Sequence, residues 1–247
     1  MGRLLIILCL PLLCCRGQDE ADDPTQAKHV KSLSGPERAA AAAKRVRPAL
    51  ERDLAKKDLR FGDPVFLRAF KEERELELWV RQAESGKLVL FRKYPVAGSS
   101  GELGPKLAEG DLQVPEGFYF VPPSKMKPDS TYHLAFNIGY PNAYDRHHGR
   151  TGSFIMIHGN EISIGCLAMT DEKIEEIYTL CDAAHKNGQR FFRVHLFPFR
   201  MSNARMLKAK GSQWHKFWLN LKEGYDYFEE KRLPPDVTLS AGRYAFD

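Results

Sequence analysis

The chain has 247 residues, 43% of them hydrophobic and 28% charged, and its 37 Lys and Arg against 32 Asp and Glu give a net charge of +5 at pH 7. These values are ordinary for a globular protein with one substantial core. Basic and acidic residues are interspersed without a dense basic block. This argues against nucleic acid as the main partner and fits an anionic polymer such as a cell wall.

An export signal is predicted over residues 1–15. Arg3 supplies a positive charge, and the apolar run Leu4–Leu13 that follows is too short to span a bilayer as a helix. The run ends in Leu-Leu-Cys-Cys, a loose match to a bacterial lipobox. Two alternatives stay open, plain export or acylation of Cys14 or Cys15, which would anchor the chain to a membrane. Either one places the protein in the bacterial periplasm or cell envelope.

A tether and a marginal helix are predicted over residues 16–60. The stretch 17–36 is polar and charged, as flexible linkers are. The run ERAAAAAKRVR at 37–47 has high helix propensity but a poor apolar face. We expect Pro48 to interrupt this helix, because proline lacks the N–H group that a helix interior uses.

A strand-rich domain is predicted over residues 61–225. Its first three strands are PVFLRAF, ELELWVRQ and KLVLFRKYPV, with a hairpin turn at Glu84–Lys87. Strict alternation in ELELWV predicts one wet face and one buried face. Residues 98–117 are rich in glycine and proline, and a loop of this length is often functional.

Strands and helices are both predicted in the second half of this domain. FYFVPP, YHLAFNIGY, FIMIHG and RFFRVHLFPFR are β-rich runs, and the third ends at His158 as a buried strand. Thr170 or Asp171 can cap a helix that stops at Asn187–Gly188. The apolar stripe of this helix consists of Ile174, Ile177, Tyr178 and Cys181. The sequence therefore predicts a mixed α/β, strand-dominated fold.

The C-terminal part is predicted to be an amphipathic helix and a short extension. SQWHKFWLNLKEG has aromatic and aliphatic residues at helical spacing from Trp214 to Leu221, which favours core packing. We expect this helix to end at Gly224. Residues 226–247 are expected to pack on the domain as an extension that adds an edge strand.

The stretch Ile155–Met169, IMIHGNEISIGCLAM, has the residues that cysteine acyl transfer needs. A thiol is nucleophilic as a thiolate, and a nearby imidazole can take its proton, so Cys166 and His158 form a candidate pair. Backbone N–H groups around Gly165 and Cys166 could bind the developing oxyanion. If the turn points the thiol at the start of the following helix, the dipole of that helix is expected to lower the pKa of the thiol further.

Other interpretations of these residues stay open on residue types alone. A buried cysteine is usually a small apolar side chain, and a lone histidine is usually structural. A disulfide between Cys166 and Cys181 is the alternative that an oxidising compartment suggests. We disfavour it, because Cys181 falls on the apolar stripe of the predicted helix.

The pattern HG-x(3)-S-x-G-C-x-x-M resembles the active-site signature of the L,D-transpeptidase catalytic domain family (YkuD-type), whose members act on bacterial peptidoglycan. It matches His158 and Gly159, then Ser163, and then the pair Gly165 and Cys166 with Met169 after it. The resemblance implies that Cys166 is the nucleophile and His158 its base. It also implies that Gly159, Ser163 and Gly165 support the turn or the oxyanion site.

The resemblance to the family covers about residues 60–225. Within it, the segments 94–121, 133–159 and 194–201 are similar to the YafK-like subgroup. It implies a β-sandwich-like catalytic domain with flanking helices. The chain departs from the general family pattern twice: only eight positions separate the histidine from the cysteine, and Ala168 stands where an arginine is usual. Both departures fit the subgroup, whose inferred chemistry is release rather than cross-linking.

Several other polar residues are candidates for the site. Arginine can grip a substrate carboxylate with two hydrogen bonds in place of the missing family arginine. The candidates for substrate binding are His133, Arg146, Arg150 and Arg193, with Arg200 as a further arginine. His147 and His148 could be combined with His158 and Cys166 into a zinc site, although no ligand pair has the usual spacing. We expect no metal and no cofactor.

Three functions are compatible with the sequence. The favoured one is a cysteine enzyme that attacks an amide centred on diaminopimelate in peptidoglycan stem peptides. Its thioester would pass to water, releasing a wall-attached protein or peptide such as a lipoprotein, or to an amine, forming cross-links or attaching lipoprotein. The others are a non-catalytic wall-binding module and a zinc-dependent peptidase. Specific labelling of Cys166 separates the first two, and metal analysis separates the third.

Overall fold

Eleven strands in three sheets and five α-helices make up the part of the chain that the computed structural model describes, residues 33–247. The predicted export signal, with Cys14 and Cys15, and the first part of the tether lie outside the described residues. The prediction of a mixed α/β, strand-rich fold is confirmed. Within residues 33–247, no helix combines the length and apolar character that crossing a membrane requires.

The largest sheet has five strands in the order β3-β2-β1-β9-β4. Strands β1 and β9 are parallel, and the other neighbours are antiparallel. All five correspond to predicted strands, and the predicted turn at Glu84–Lys87 joins β2 to β3. Their bounds are β1 Val65–Phe70, β2 Glu75–Arg81, β3 Leu88–Pro95, β4 Gly117–Val121 and β9 Phe192–Phe197.

The smaller sheet carries the predicted catalytic stretch. Its four short strands follow the order β5-β6-β7-β8, and β7 is antiparallel to β6 but parallel to β8. Their bounds are β5 Met126–Lys127, which follows a 3₁₀ turn at Pro123–Lys125, β6 Ala135–Asn137, β7 Met156–His158 and β8 Leu167–Ala168. The connection from β7 to β8 is residues 159–166, so the motif forms the link between two parallel strands.

Helix α1 spans Gly35–Ala55, and the prediction that Pro48 interrupts a marginal helix is wrong. Helix α1 packs against α3, Asp171–Lys186. Its buried residues include Ala42, Leu50 and Leu54. A proline inside a helix costs about 3 kcal/mol, but Pro48 is on the exposed side and the packing on both sides of it keeps the helix continuous.

Helix α3 agrees with the prediction at both ends and on its buried face. The Thr170 side chain accepts a hydrogen bond from the Lys173 N–H, which caps the helix, and Asn187 follows the last turn. Both cysteines of the described residues, Cys166 and Cys181, are free thiols. Cys181 is fully buried, which confirms that it packs as an apolar residue.

Strand β2 does not have the wet face that its alternation predicts. Leu76 to Val80 are all buried. Glu77 is 2% exposed and accepts hydrogen bonds from the guanidinium of Arg68, which is equally buried. The reason is that aromatic residues such as Phe228 of the C-terminal helix cover this face and lie over Arg68.

That C-terminal helix, α5, spans His215–Lys231, and the prediction that it ends at Gly224 is wrong. Gly224 is buried, and a Cβ atom there would collide with the rings of Phe118 and Phe246. The glycine thus permits close packing instead of ending the helix. The last strands, β10 Val237–Ser240 and β11 Arg243–Phe246, pair with each other and not with the edge of a larger sheet. The short helices are α2, Ala143–His147, and α4, Asn203–Lys208.

Candidate active site

The loop 159–166 places the motif cysteine and histidine at its two ends. His158 is the last residue of β7, and Cys166 immediately precedes β8, which pairs with β7. Gly165 has φ +85°, a left-handed conformation that side chains disfavour. The Ser163 hydroxyl donates to the Cys166 carbonyl at 2.6 Å and accepts from the Cys166 N–H at 3.0 Å. These bonds fix the turn that presents the thiol.

Gly159 is required for a close approach. A Cβ atom at this position would lie 2.5 Å from Asp171 Oδ1 and 2.8 Å from the Tyr132 carbonyl oxygen. The same Asp171 carboxylate accepts a hydrogen bond from the Asn160 N–H at 2.8 Å. The glycine therefore lets the start of α3 and the loop before β6 close around the end of β7.

The thiol of Cys166 is half-buried. The Met156 N–H points at Sγ from 3.4 Å, and Sγ lies 3.7 Å from the Phe154 carbonyl oxygen. Burial raises the pKa of Cys166 above its ordinary value, and the Met156 N–H and the charge of Lys106 only partly oppose this. The thiol is not directed at the start of α3, because Sγ contacts the backbone of Met156 and Phe154 and strand β8 lies between Cys166 and the helix, so the condition for a lowering by the helix dipole is not met.

The imidazole of His158 is buried and held in one tautomer. Its Nδ1 lies 2.6 Å from the Gly159 carbonyl oxygen, which can only accept, so Nδ1 carries the proton and Nε2 has the free lone pair. Burial lowers the pKa of His158 below its ordinary 6.5. With the thiol pKa raised and the imidazole pKa lowered, both groups are neutral at rest near pH 7.

Cys166 and His158 line one cavity of about 350 Å³. Its other walls come from the segment 127–132 and from Phe154 and Met156. The Tyr132 ring lies against the His158 ring, with centroids 4.8 Å apart. Cys166 also lines a second recess of about 120 Å³, which contains Lys106 and Ile164. The thiol is thus shared by two recesses.

The two N–H groups predicted to bind an oxyanion are already hydrogen-bonded within the protein. The Gly165 N–H donates to the Ser100 hydroxyl at 2.6 Å, and the Cys166 N–H donates to the Ser163 hydroxyl. Neither N–H group can donate to a substrate oxygen unless its present hydrogen bond to a serine hydroxyl breaks. The Met156 N–H is the backbone donor that faces the sulfur atom.

The residues predicted to bind substrate do not line either recess. His133 Nε2 lies 2.7 Å from Glu175 Oε1, and the Arg146 guanidinium donates to the Pro141 carbonyl. Arg150 is buried and donates to Asp145 at 2.8 Å. Arg193 pairs with Asp236, and Arg200 with Glu75 and Glu77. Their predicted role therefore gains no support, since most have acidic partners elsewhere in the fold.

The histidines of the alternative zinc site are also apart from the motif. The His148 ring contacts the Gly242 carbonyl at 2.8 Å and packs on Tyr144, beside the C-terminal hairpin. His147 lies near the same Gly242. Between residues 33 and 247, no three or more His, Cys, Asp or Glu side chains are grouped to hold a metal ion.

Three residues that the sequence did not single out contribute to the site: Ser100, Lys106 and Tyr132. Ser100 and Lys106 belong to the glycine-rich loop 98–117, whose length and place in the family likeness over 94–121 indicated the loop but neither residue. Tyr132 had no such signal, because its position over His158 depends on how the loop before β6 folds.

Comparison with known proteins identifies the family. The sequence profile of the YkuD family, the L,D-transpeptidase catalytic domain, matches residues 70–219. Proteins named "Putative L,D-transpeptidase YafK" from two strains of Escherichia coli are each 49% identical to this chain over 183 residues, 74% of this chain and 74% of theirs.

Solved structures with a related fold include two of the helical cell shape determining protein Pgp2 from Campylobacter jejuni. A point mutant of Pgp2 gives a TM-score of 0.45 at 23% identity over 68% of this chain, which spans 59% of that chain. The unmutated Pgp2 gives 0.44 at 20% identity over 73% and 67% of the two chains. Bd1075 from Bdellovibrio bacteriovorus gives 0.39 at 21% identity over 68% and 59%.

The family profile covers more than half of the chain and includes His158 and Cys166. The relatives share nearly half of their residues with it over about three quarters of its length. The chain belongs to the L,D-transpeptidase catalytic domain family.

Proposed function

We propose that the protein is a cysteine enzyme that cleaves amide bonds formed by diaminopimelate in peptidoglycan, with Cys166 as nucleophile and His158 as base and acid. The observation that carries this proposal is the shared cavity, which both the half-buried Cys166 and His158 line, together with the tautomer of His158, in which Nδ1 is bonded to the Gly159 carbonyl and Nε2 has the free lone pair. Membership in a family that acts on peptidoglycan supports the substrate class.

In the first step, Nε2 of His158 takes the thiol proton as Sγ attacks the amide carbonyl carbon. The C–N bond then breaks, and the imidazolium gives that proton to the leaving amine. A thioester remains on Cys166. In the second step, His158 takes a proton from water, the water oxygen bonds to the carbonyl carbon, the C–S bond breaks, and the proton returns to sulfur.

Since both groups are neutral at rest, proton transfer accompanies the attack and does not precede it. The buried imidazole has a lowered pKa and is therefore ready to accept a proton near pH 7. The Met156 N–H, 3.4 Å from Sγ, stabilises negative charge that develops on sulfur. Ser163 keeps the thiol in place through its two hydrogen bonds to the Cys166 backbone.

Two features favour water over an amine as the final acceptor. Ala168, at the position where the family usually has arginine, is fully buried and its backbone bonds to Gly98, so no charged side chain extends from there. The connection from β7 to β8 is only eight residues long and offers little wall to hold a second stem peptide. We therefore propose release of a wall-attached protein or peptide, in the bacterial periplasm or cell envelope. Plain export and acylation of Cys14 or Cys15 are both compatible with this location.

The test is incubation of the purified protein with lipoprotein-linked muropeptides and excess free tetrapeptide stems, with products identified by mass spectrometry. The expected result is freed lipoprotein with little new stem–stem product. Dominant cross-links with no freed lipoprotein would instead establish an ordinary L,D-transpeptidase. Binding of muropeptides without any product, unchanged by Cys166→Ser, would establish a non-catalytic wall-binding module.

A further inference from the structure

The two recesses that share Cys166 differ in the groups that line them. The larger cavity contains His158, together with Lys127 and Tyr132. The smaller recess does not include His158 but contains Lys106. A substrate amide centred on the thiol must therefore place its two halves in chemically different surroundings.

The position of the general acid determines which half of the substrate amide occupies which recess. The group that protonates a leaving nitrogen must come within hydrogen-bond reach of it. The leaving amine consequently occupies the cavity with His158, and the acyl group, which stays bonded to sulfur, extends into the recess with Lys106. Any charged group carried by the acyl half then lies near Lys106.

The Lys106 ammonium is held rigidly at that recess. Its side chain is only 5% exposed, and Nζ donates to Asp111 Oδ1 at 2.5 Å and to the Ala108 carbonyl at 2.8 Å. The Asp111 carboxylate also accepts the N–H groups of Leu107, Ala108 and Gln113. An ammonium has three N–H donors, so one is left for a ligand. A fixed cation with an unused donor binds an anion with little reorganisation.

Lys106 also supplies a positive charge that the motif of this chain lacks. Ala168 replaces the usual family arginine and is fully buried, and the arginines predicted to substitute for it do not line either recess. Of the described residues that line the two recesses, Lys106 and Lys127 are the cations. The charge of Lys106 also reaches the thiol, since it counteracts the rise that burial causes in the pKa of Cys166.

We propose that Lys106 binds a free carboxylate on the acyl group that Cys166 accepts, and thereby selects acyl groups that carry one. Diaminopimelate has two carboxyl groups, so an amide formed at one leaves the other free on the acyl half. The identity of that carboxylate rests on the proposed function. The inference that a cation beside the thiol binds anions does not rest on the proposed function.

The first experiment is therefore independent of the natural substrate. Alkylation rates of Cys166 are measured with iodoacetate and with its neutral analogue iodoacetamide in wild type, Lys106→Met and Lys106→Arg. A change in thiol pKa alters both rates equally and cancels in their ratio. The iodoacetate-to-iodoacetamide ratio should fall about tenfold in Lys106→Met, the loss of roughly one charge-assisted hydrogen bond. It should be largely retained in Lys106→Arg.

Lys127→Met is the matched control, because Lys127 lines the cavity on the other side of the same thiol. Its ratio should stay at the wild-type value. An unchanged ratio in Lys106→Met, or a fall confined to Lys127→Met, would overturn the proposal. Lys106→Met should fold, because Asp111 keeps its three backbone donors, and Lys106→Gln provides a second neutral variant whose ratio must fall in the same way.

The second experiment uses wall fragments in which the free diaminopimelate carboxyl is either a carboxylate or a carboxamide. Wild type should prefer the carboxylate by roughly 10- to 100-fold in kcat/KM, and Lys106→Met should lose this preference mainly through KM. Equal rates on both substrates in wild type would overturn the inference and leave the proposed function standing. A positive alkylation result without turnover of either substrate would overturn the proposed function and leave the anion site.

Discussion

The Tyr132 ring lies against the His158 ring, with centroids 4.8 Å apart and planes inclined by 36°. The segment that carries Tyr132 is held in turn by helix α1. The Arg38 guanidinium donates to the carbonyls of Ser130 and His133, each at 2.8 Å. A Cβ atom on Gly35 would lie 2.7 Å from the Asp129 backbone nitrogen, so the start of the helix is in close contact with the same segment. A helix that begins well before the family match thus supports one wall of the cavity.

Replacing Arg38 should reduce activity, although Arg38 does not line either recess. Arg38→Met removes both carbonyl contacts, so Tyr132 loses its fixed position over His158, and kcat should fall by about 10- to 100-fold. Arg38→Lys should restore part of the rate. Amide hydrogen exchange in residues 127–133 should increase in parallel. Arg52→Met, an exposed position on the same helix, is the control. Normal kcat and normal exchange in Arg38→Met would show that the helix does not position the wall.

The two cysteines of the described residues should respond oppositely to substitution. Cys166→Ser should abolish turnover, with a loss of roughly 10⁴-fold or more, and should leave the fold intact because the change is small and the turn bonds involve the backbone. Cys181→Ala should retain activity, since Cys181 is fully buried in the core. Rate measurements and thermal unfolding of both variants check this. Turnover that survives in Cys166→Ser would remove Cys166 from the mechanism.

The pH dependence should reflect two neutral groups at rest. Burial lowers the pKa of His158 below 6.5, so the base stays neutral through pH 7 and kcat/KM should fall only as the pH drops below about 6.5. Burial raises the pKa of Cys166 above 9.0, so alkylation by iodoacetamide should still be rising at pH 9. Stopped-flow alkylation and initial rates measured across the pH range test this. An alkylation rate that is already constant at pH 7 would indicate a resting thiolate.

His158→Ala should separate catalysis from thiol ionisation. Turnover should fall about 10²- to 10⁴-fold, the usual contribution of a positioned proton-transfer group. In a resting ion pair, an imidazolium would stabilise the thiolate, and this substitution would raise the pKa of Cys166. The structure predicts instead only a small shift in the alkylation profile, because neutral His158 contributes no charge. A large upward shift would restore the ion-pair hypothesis.

Glu175 should be a main electrostatic contributor to stability. Burial raises its pKa, but the hydrogen bonds from His133 and Arg45 outweigh this and hold the pKa below the ordinary 4.5. Its stabilisation is therefore present above pH 4.5 and lost as the pH falls through the lowered pKa. Glu175→Gln should cost roughly 1.5–3 kcal/mol of unfolding free energy at pH 7, with a smaller difference from wild type in acid.

Asp182→Asn on the same helix is the matched control for Glu175. Asp182 pairs with Lys186, whose side chain is largely exposed, and such pairs contribute less than about 1 kcal/mol. Denaturant unfolding of both variants at neutral and acid pH measures the difference. Equal losses in the two variants, or a loss in Glu175→Gln that does not depend on pH, would contradict this assignment.

The sequence by itself determined the elements whose signals are local. Apolar and alternating β-prone runs predicted the five strands of the large sheet, and Thr170 predicted the start of α3 because its hydroxyl caps the helix. The motif residues from His158 to Met169 indicated the family, and the short connection between β7 and β8 carries His158 and Cys166 at its two ends. Each of these signals depends only on residues that are close to one another in the sequence.

Only the tertiary structure decided which charged residues lie at the site and where helices end. The arginines that the sequence offered are paired in other parts of the fold. Lys106, which is 60 positions before Cys166 in the chain, lines the smaller recess together with Cys166. Helix α1 continues through Pro48 and α5 through Gly224 because packing on neighbouring elements outweighs local propensity. The pKa values of Cys166 and His158 likewise follow from burial, which depends on segments far away in the sequence and not on the motif.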